Sequence, residues 1–200
     1  NKAFVYGSDL SGANFAGADL SGALMGRTRM QQTNFEQATF VGVHQWGLLE
    51  QLDVLSVAAP NATVLLNAPF PADEVWRRLP AEVQEQILAK NLSVYAIDAA
   101  SVARAAGLAG RINTVMQACF FALAGVLPAD DAMRELRLAI EHSYGARGEA
   151  VVARNLAAVD QAVSNMHLVT IGERSDSAHH RRRPVGVDAP DFVQRVTIVV

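Results

Sequence analysis

Apolar residues recur along this chain at three different periods, and each period marks a different stretch. Residues 3 to 42 divide into fives: AFVYG, SDLSG, ANFAG, ADLSG, ALMGR, TRMQQ, TNFEQ, ATFVG. The third place of every unit is large and apolar, as at Val5, Leu10, Phe15, Leu20 and Phe40, and the first place is small. A period of five fits neither a helix at 3.6 nor a strand at 2. It suits a chain that turns a corner every five residues, with the central side chain stacked inside and the small one beside it.

Beyond Phe40 the period changes. Residues 40 to 44 (FVGVH) form a short apolar run of buried-strand type. Residues 53 to 71 predict two further extended runs around a turn at Pro60 and Asn61. Residues 72 to 79 predict a short helix, and Pro80 stands at the first turn of the next, over AEVQEQILAKN. Residues 92 to 98 (LSVYAID) alternate like a strand, and AASVARAA is a helix ending at Gly107. Residues 113 to 127 are apolar almost all round, which predicts a central buried helix. Asp130 and Asp131 open another helix, where they complement its dipole. Its apolar face is Met133, Leu136, Ile140 and Tyr144, and Gly145 is its stop. A last helix carries Val152, Leu156, Val159 and Val163, and HLVTI (167 to 171) follows as a strand. Residues 172 to 190 are polar and predict a linker or exposed loop. The chain then stops inside an apolar run, VQRVTIVV, which reads as a piece cut from something longer.

Composition narrows the function classes. Half of the 200 residues are apolar and the net charge is only -3, so nothing favours nucleic acid or a membrane surface as partner. No apolar run has the length of a membrane span and no targeting segment is visible, which predicts a cytoplasmic location. The single cysteine, Cys119, excludes an internal disulfide and a four-cysteine iron–sulfur site, and its apolar surroundings predict a buried structural thiol.

The run of fives resembles the pentapeptide-repeat family, which implies a right-handed, four-sided β-helix. Some such proteins mimic DNA with an acidic surface. Here Lys2, Arg27 and Arg29 balance Asp9, Asp19 and Glu36, so a cap or interaction surface is the expected role. The rest of the chain, from about 41 to 200, is similar to the gamma-type domain of the pyruvate:ferredoxin (flavodoxin) oxidoreductases, within the 2-oxoacid:acceptor oxidoreductases. The resemblance rests on VGVHQW, LLNAPFPADEVWRRLP, VYAIDA, GLAGRINTVMQACFFALAGVLP and YGARGEAVVARNLAAVDQAV. Together these imply an incomplete Rossmann-like α/β domain with a C-terminal helical group, preceded by a short right-handed pentapeptide β-helix. The domains are 1–42 (repeat), 43–171 (partial α/β domain) and 172–200 (linker and tail). The family's opening strand, Gly-rich turn and helix are absent, so the sheet is expected to have an open edge that the repeat covers by stacking.

The resemblance implies oxidative decarboxylation of 2-oxoacids to acyl-CoA with electron transfer, and an enzymatic role only as part of the complete oxidoreductase. Thiamine diphosphate, [4Fe-4S] clusters and coenzyme A are implied for the complete enzyme and none is expected to be bound by this chain. The implied partners are the remaining domains or subunits, with ferredoxin or flavodoxin as acceptor. No catalytic residue and no metal ligand transfers to these positions. The rival classes are a non-enzymatic repeat scaffold or binding protein, and a non-functional gene fragment.

Few residues stand out as candidate sites. Gly107, Gly110, Arg111 and Asn113 form a turn before a helix, suited either to an anion such as a coenzyme phosphate or simply to placing that helix. The second role is the one expected, because the spacing matches no dinucleotide or phosphate-loop pattern. His44 lies at a strand end without metal-ligand neighbours. Asn67, Pro69 and Phe70 follow a strand and are expected as turn chemistry. His179, His180, Arg181, Arg182 and Arg183 are expected to be a solvated loop, since no aromatic platform accompanies them.

Overall fold

A computed structural model describes residues 4–6, 24–26, 38–125, 127–182 and 190. The eight-unit run of fives therefore lies outside the described residues, apart from two short strands and its last unit. Those strands are β1 (Phe4–Tyr6) and β2 (Leu24–Gly26), which pair in parallel with Phe4 opposite Leu24 and Val5 opposite Met25.

The α/β part is built on a four-stranded sheet of order β3-β4-β5-β6: β3 Ala38–Val43, β4 Ala58–Asn67, β5 Ser93–Ile97 and β6 His167–Leu168. The first three strands are parallel, and β6 returns antiparallel beside β5. Helix α1 (Gly47–Gln51) joins β3 to β4, and α2 (Ala72–Arg78) and α3 (Ala81–Ala89) join β4 to β5. Four more helices follow: α4 (Ala99–Ala105), α5 (Asn113–Leu123), α6 (Ala129–Tyr144) and α7 (Glu149–Ser164).

Alternation along the strands sorts the core into two layers. Val43, Val64, Leu66, Val94 and Ala96 face one side, against Leu49 of α1, Val75 and Trp76 of α2, and Val83 and Ile87 of α3. Leu65 and Ile97 face the other, against Val102, Val115, Met116, Leu136 and Val159 of α4 to α7. Phe40 of β3 meets Phe120 of α5 edge to face, with centroids 5.0 Å apart. Helices on both faces of a mostly parallel sheet make a three-layer α/β/α arrangement, consistent with the Rossmann-like class that the resemblance implies.

Four expectations need correction. The runs around Pro60 and Asn61 are one strand, β4, with an irregularity in its pairing to β3. Asn61 sits in the left-handed region at φ 62, its amide donates to the Lys90 carbonyl, and its side chain accepts from Asn91. A turn signal thus folds as a bulge because its polar groups find partners in the α3–β5 connection. Helix α5 ends at Leu123, not 127, because Gly125 takes φ 62, and full burial stops at Cys119. Gly145 stays right-handed and leads into a 3-10 turn; the break before α7 is Gly148 at φ 98. Of HLVTI only His167 and Leu168 form a strand, and both are exposed.

The stretch after β6 also departs from a free linker. Residues 172 to 182 are irregular, but they cross helices α1 to α3 as a strap. Its backbone bonds near the C-terminal end: the Ala81 amide donates to the His179 carbonyl and the Arg182 amide to the Glu50 carbonyl. Gln84, fully buried on α3, holds its middle. The Gln84 amide group donates to the Trp76 carbonyl (2.8 Å), and its oxygen accepts from the Ser175 hydroxyl and the Asp176 and Ser177 amides at 3.0–3.1 Å.

Candidate functional site

Parallel strands end at one side of the sheet, and the loops leaving them border a crevice there. The loop after β4 (Pro69, Phe70, Pro71) and the end of β5 (Ala96, Ile97, Asp98) form two of its walls. Ser101 and Val102 of α4 add a third, and Asn165 and His167, just after α7, close the rim. Its volume is about 340 Å³. The walls are mainly apolar, with a few polar groups converging on them, as small-molecule and partner-contact sites usually are.

Local rules explain why each polar group stands where it does. Asp98 caps α4: its carboxylate accepts from the Ser101 amide at 2.9 Å and from the Ser101 hydroxyl at 2.6 Å. Arg104 donates in turn to that hydroxyl at 2.8 Å. Asn67, the last residue of β4, ties the end of β3 to the start of α4 beside the crevice. Its side-chain amide donates to the His44 carbonyl at the end of β3 (2.9 Å), and its oxygen accepts from the Ala99 amide at the start of α4 (3.1 Å). Phe70 is held by Trp46, edge to face at 5.1 Å, and by the Arg78 guanidinium 4.9 Å from its ring centre. Glu74 in turn fixes Arg78 at 2.8 Å.

The structure brings together some sequence candidates and separates others. Pro69 and Phe70 border the crevice, Asn67 lies outside its lining, and His44 contributes its carbonyl to Asn67 while its ring is exposed. Gly107, Ala109 and Gly110 all take positive φ, so the turn before α5 is a left-handed one that glycine favours. Arg111 and Asn113 are exposed on it, and the Arg111 Nε donates back to the Leu108 carbonyl at 3.2 Å. Cys119 is buried, with Sγ 3.8 Å from the Ala162 carbonyl. Burial pushes its thiol up to about 12, against a slight opposing pull from its own backbone amide.

The described part of the basic run is irregular and exposed at His179, His180 and Arg182, with Arg181 largely covered, and each side chain stands near a carboxylate. His179 lies 3.8 Å from Glu50, His180 3.1 Å from Glu82, Arg181 3.1 Å from Asp53 and Arg182 3.9 Å from Glu50. Arg183 lies outside the described residues. Sequence reasoning missed Asp98, Ser101, Asn165 and His167. Of these only Asp98 carried a signal, as an Asp directly before a helical run.

The cofactors implied by the resemblance can be tested against these residues. An iron–sulfur cluster needs several thiolates, and the one thiol here is buried and held protonated, so the fit fails. Among the described residues no group of three or more His, Cys, Asp or Glu side chains is placed to hold a metal ion. Among them, too, no helix is long and apolar enough to cross a membrane.

Comparison with known proteins gives the family context. The family described as pyruvate ferredoxin/flavodoxin oxidoreductase matches residues 3–165, a stretch that includes the run of fives. Pyruvate-flavodoxin oxidoreductase of Nostoc sp. is 48% identical over 166 residues, covering 80% of this chain and 14% of that protein. The Rhodospirillum rubrum protein of the same name is 44% identical over 163 residues, covering 82% of this chain and 14% of its own length. Pyruvate:ferredoxin oxidoreductase of Moorella thermoacetica is 31% identical over 159 residues, covering 80% and 14%. The chain thus spans about one-seventh of the length of these relatives. The PORC subunit of pyruvate oxidoreductase from Thermotoga maritima superposes with a TM-score of 0.50 at 17% identity, covering 66% of each chain, which supports the fold alone.

Proposed function

The chain belongs to the pyruvate ferredoxin/flavodoxin oxidoreductase family, and from that premise we propose that it serves as a scaffold and interface domain of such an enzyme. In the complete enzyme a 2-oxoacid is decarboxylated, its acyl group passes to coenzyme A, and two electrons leave to ferredoxin or flavodoxin. Thiamine diphosphate and [4Fe-4S] clusters carry that chemistry in the remaining domains, in the cytoplasm. The observation that carries this reading is the ratio of lengths. High identity extends over four-fifths of this chain yet over only about one-seventh of its relatives, so most of the machinery lies outside these residues. The isolated chain is inactive on this reading. Its crevice, rimmed by exposed Asn165 and His167, is a contact region for the rest of the assembly. The left-handed turn with Gly110, Arg111 and Asn113 serves mainly to seat α5, and Arg111 is the one group there suited to an anion.

The same reading divides the chain at 1–42, 43–171 and 172–200 and gives the first part a pentapeptide β-helix, whose last unit, 38–42, passes into β3 of the sheet. Its support is a spacing: β1 pairs with β2 twenty residues on, which is four units of five, and central Val5 stands opposite central Met25. That spacing equally favours the second reading, a non-enzymatic repeat scaffold. One experiment separates them. The purified chain, alone and combined with a relative's polypeptide lacking the matching region, is assayed for pyruvate-dependent reduction of flavodoxin. Activity restored only in the mixture is expected. Turnover by the chain alone, or a mixture that neither assembles nor reacts, overturns the proposal.

A further inference from the structure

The strap over α1 to α3 is held in an unusual way. Val169 is buried and Ile171 half-buried against the core, but from Gly172 to Arg182 no large apolar side chain enters it. Every anchor is polar, and the anchors alternate between backbone and side chain. Gln84 takes the Asp176 and Ser177 amides, Glu82 takes the Arg181 amide at 3.1 Å, the Ala81 amide takes the His179 carbonyl, and the Glu50 carbonyl takes the Arg182 amide. Side chains are read separately: Glu82 by His180, Asp53 and Gln86 by Arg181, Glu50 by His179 and Arg182. Backbone contacts combined with pockets for successive side chains are how proteins recognise extended peptides in general.

Two details show that the fit is incomplete. Trp76 Nε1 and Arg181 Nε are buried without a hydrogen-bond partner. The first lies directly under Gly172, where an added Cβ would stand 2.6 Å from it. The ion pairs are mostly exposed, Arg181 at 17% being the exception, so they are weak and screened by salt.

We propose that the groove bordered by Glu50, Asp53 and Glu82, with Gln84 on its floor, is a recognition site for an extended basic peptide, and that residues 175–182 are its resident occupant. The strap lifts as a unit about Gly172, and a basic segment of another polypeptide takes its place. The three carboxylates supply charge complementarity, Gln84 supplies the backbone contacts that are independent of sequence, and the resident segment displays the mode of binding.

The test uses the full chain. Substituting His179→Ser, His180→Ser, Arg181→Ala and Arg182→Ala together vacates the side-chain pockets. A labelled peptide with the sequence of residues 175–182 is then titrated by fluorescence polarisation. The substituted chain is expected to bind it at least about ten-fold more tightly than the native chain, whose groove is open only a small fraction of the time. A peptide with Glu at the four basic places is expected not to bind, and adding Gln84→Leu is expected to abolish binding. Equal affinity for native and substituted chains, or indifference to peptide charge, overturns the proposal. Amide exchange in the native chain keeps the question open should the substituted chain not fold. The Asp176, Ser177, Arg181 and Arg182 amides are expected to exchange together, faster than β4 and β5 and faster still in salt. Exchange at the rate of the sheet overturns it. A stable pairing of native and substituted chains that excess peptide dissolves supports the same groove, with a second copy as the source of the basic segment.

Discussion

Asn67 offers a measurement in which the two halves of one side chain can be weighed separately. Its oxygen accepts from the Ala99 amide, and its NH2 donates to the His44 carbonyl. Ala99 is fully buried and stands in the first turn of α4, where no helical carbonyl reaches its amide. Asn67→Ala leaves that donor without a partner, which costs about 1–3 kcal/mol. The His44 side is exposed, so water replaces the lost donor and the cost there is about 0.5 kcal/mol. Together the change destabilises by about 1.5–3.5 kcal/mol. Asn67→Asp keeps the acceptor for Ala99 and places a negative charge at a helix N-terminus, which offsets part of its repulsion from the His44 carbonyl that the NH2 had satisfied. Its cost is expected to be about 1 kcal/mol or less. Urea unfolding at pH 7, with a slope of about 2–3 kcal/mol/M for this size, resolves the two as midpoint shifts of about 1 M and under about 0.4 M. Equal losses for the two substitutions, or a loss under about 0.5 kcal/mol for Asn67→Ala, would refute the assignment of the cost to the Ala99 amide.

Three further outcomes are expected. Lys90 Nζ donates to the carbonyls of Leu55, Ser56 and Ala58 at 2.8, 2.8 and 2.9 Å; Lys90→Met should cost about 2–4 kcal/mol and lower Tm by roughly 5–12 °C by calorimetry, and a change under about 2 °C contradicts the three-way clamp. With its thiol pushed from 9.0 to about 12, Cys119 carries about a thousand-fold less thiolate at pH 8, so it should resist disulfide reagents when folded and react fully in urea. Burial pushes the Glu82 carboxyl up, but the Arg181 amide, its own amide and His180 outweigh this and hold it below its ordinary 4.5. Its hold on the strap is therefore complete above about pH 4.5 and lost as pH falls through the lower, folded value; Trp76 fluorescence of the native chain should change across that range, and that of Glu82→Gln should not.

The elements that could be read from sequence are those whose partners are near in the chain. Helices α3, α4, α6 and α7 announce themselves through apolar spacing, and Leu136, Ile140 and Val159 are buried as that spacing requires. Strand β5 alternates as it should. The bulge in β4 was not legible, because Pro60–Asn61 spells a turn and only the distant Lys90 and Asn91 keep it within a strand. The face of α7 was misjudged in part: Asn155 is buried, bonded to Thr114 of α5, while Val163 is 41% exposed. Both the crevice and the strap depend on contacts between segments far apart in the chain. Asp98 meets Asn165 and His167 across four helices, and Gln84 meets Ser175 and Ser177 about ninety residues on. Polar residues without a period carry no trace of such partners, so composition alone suggests a loop.

The reversed direction of β6 sets the traffic of the whole polypeptide. Its first residue, His167, lies beside Ala96 at the crevice, and the chain then runs back toward the opposite pole of the sheet. Whatever follows Arg182 is handed off from the flank near Glu50. Between His167 and Arg182 the chain therefore carries itself from the rim of the crevice, across α3, to the α1 side of the domain.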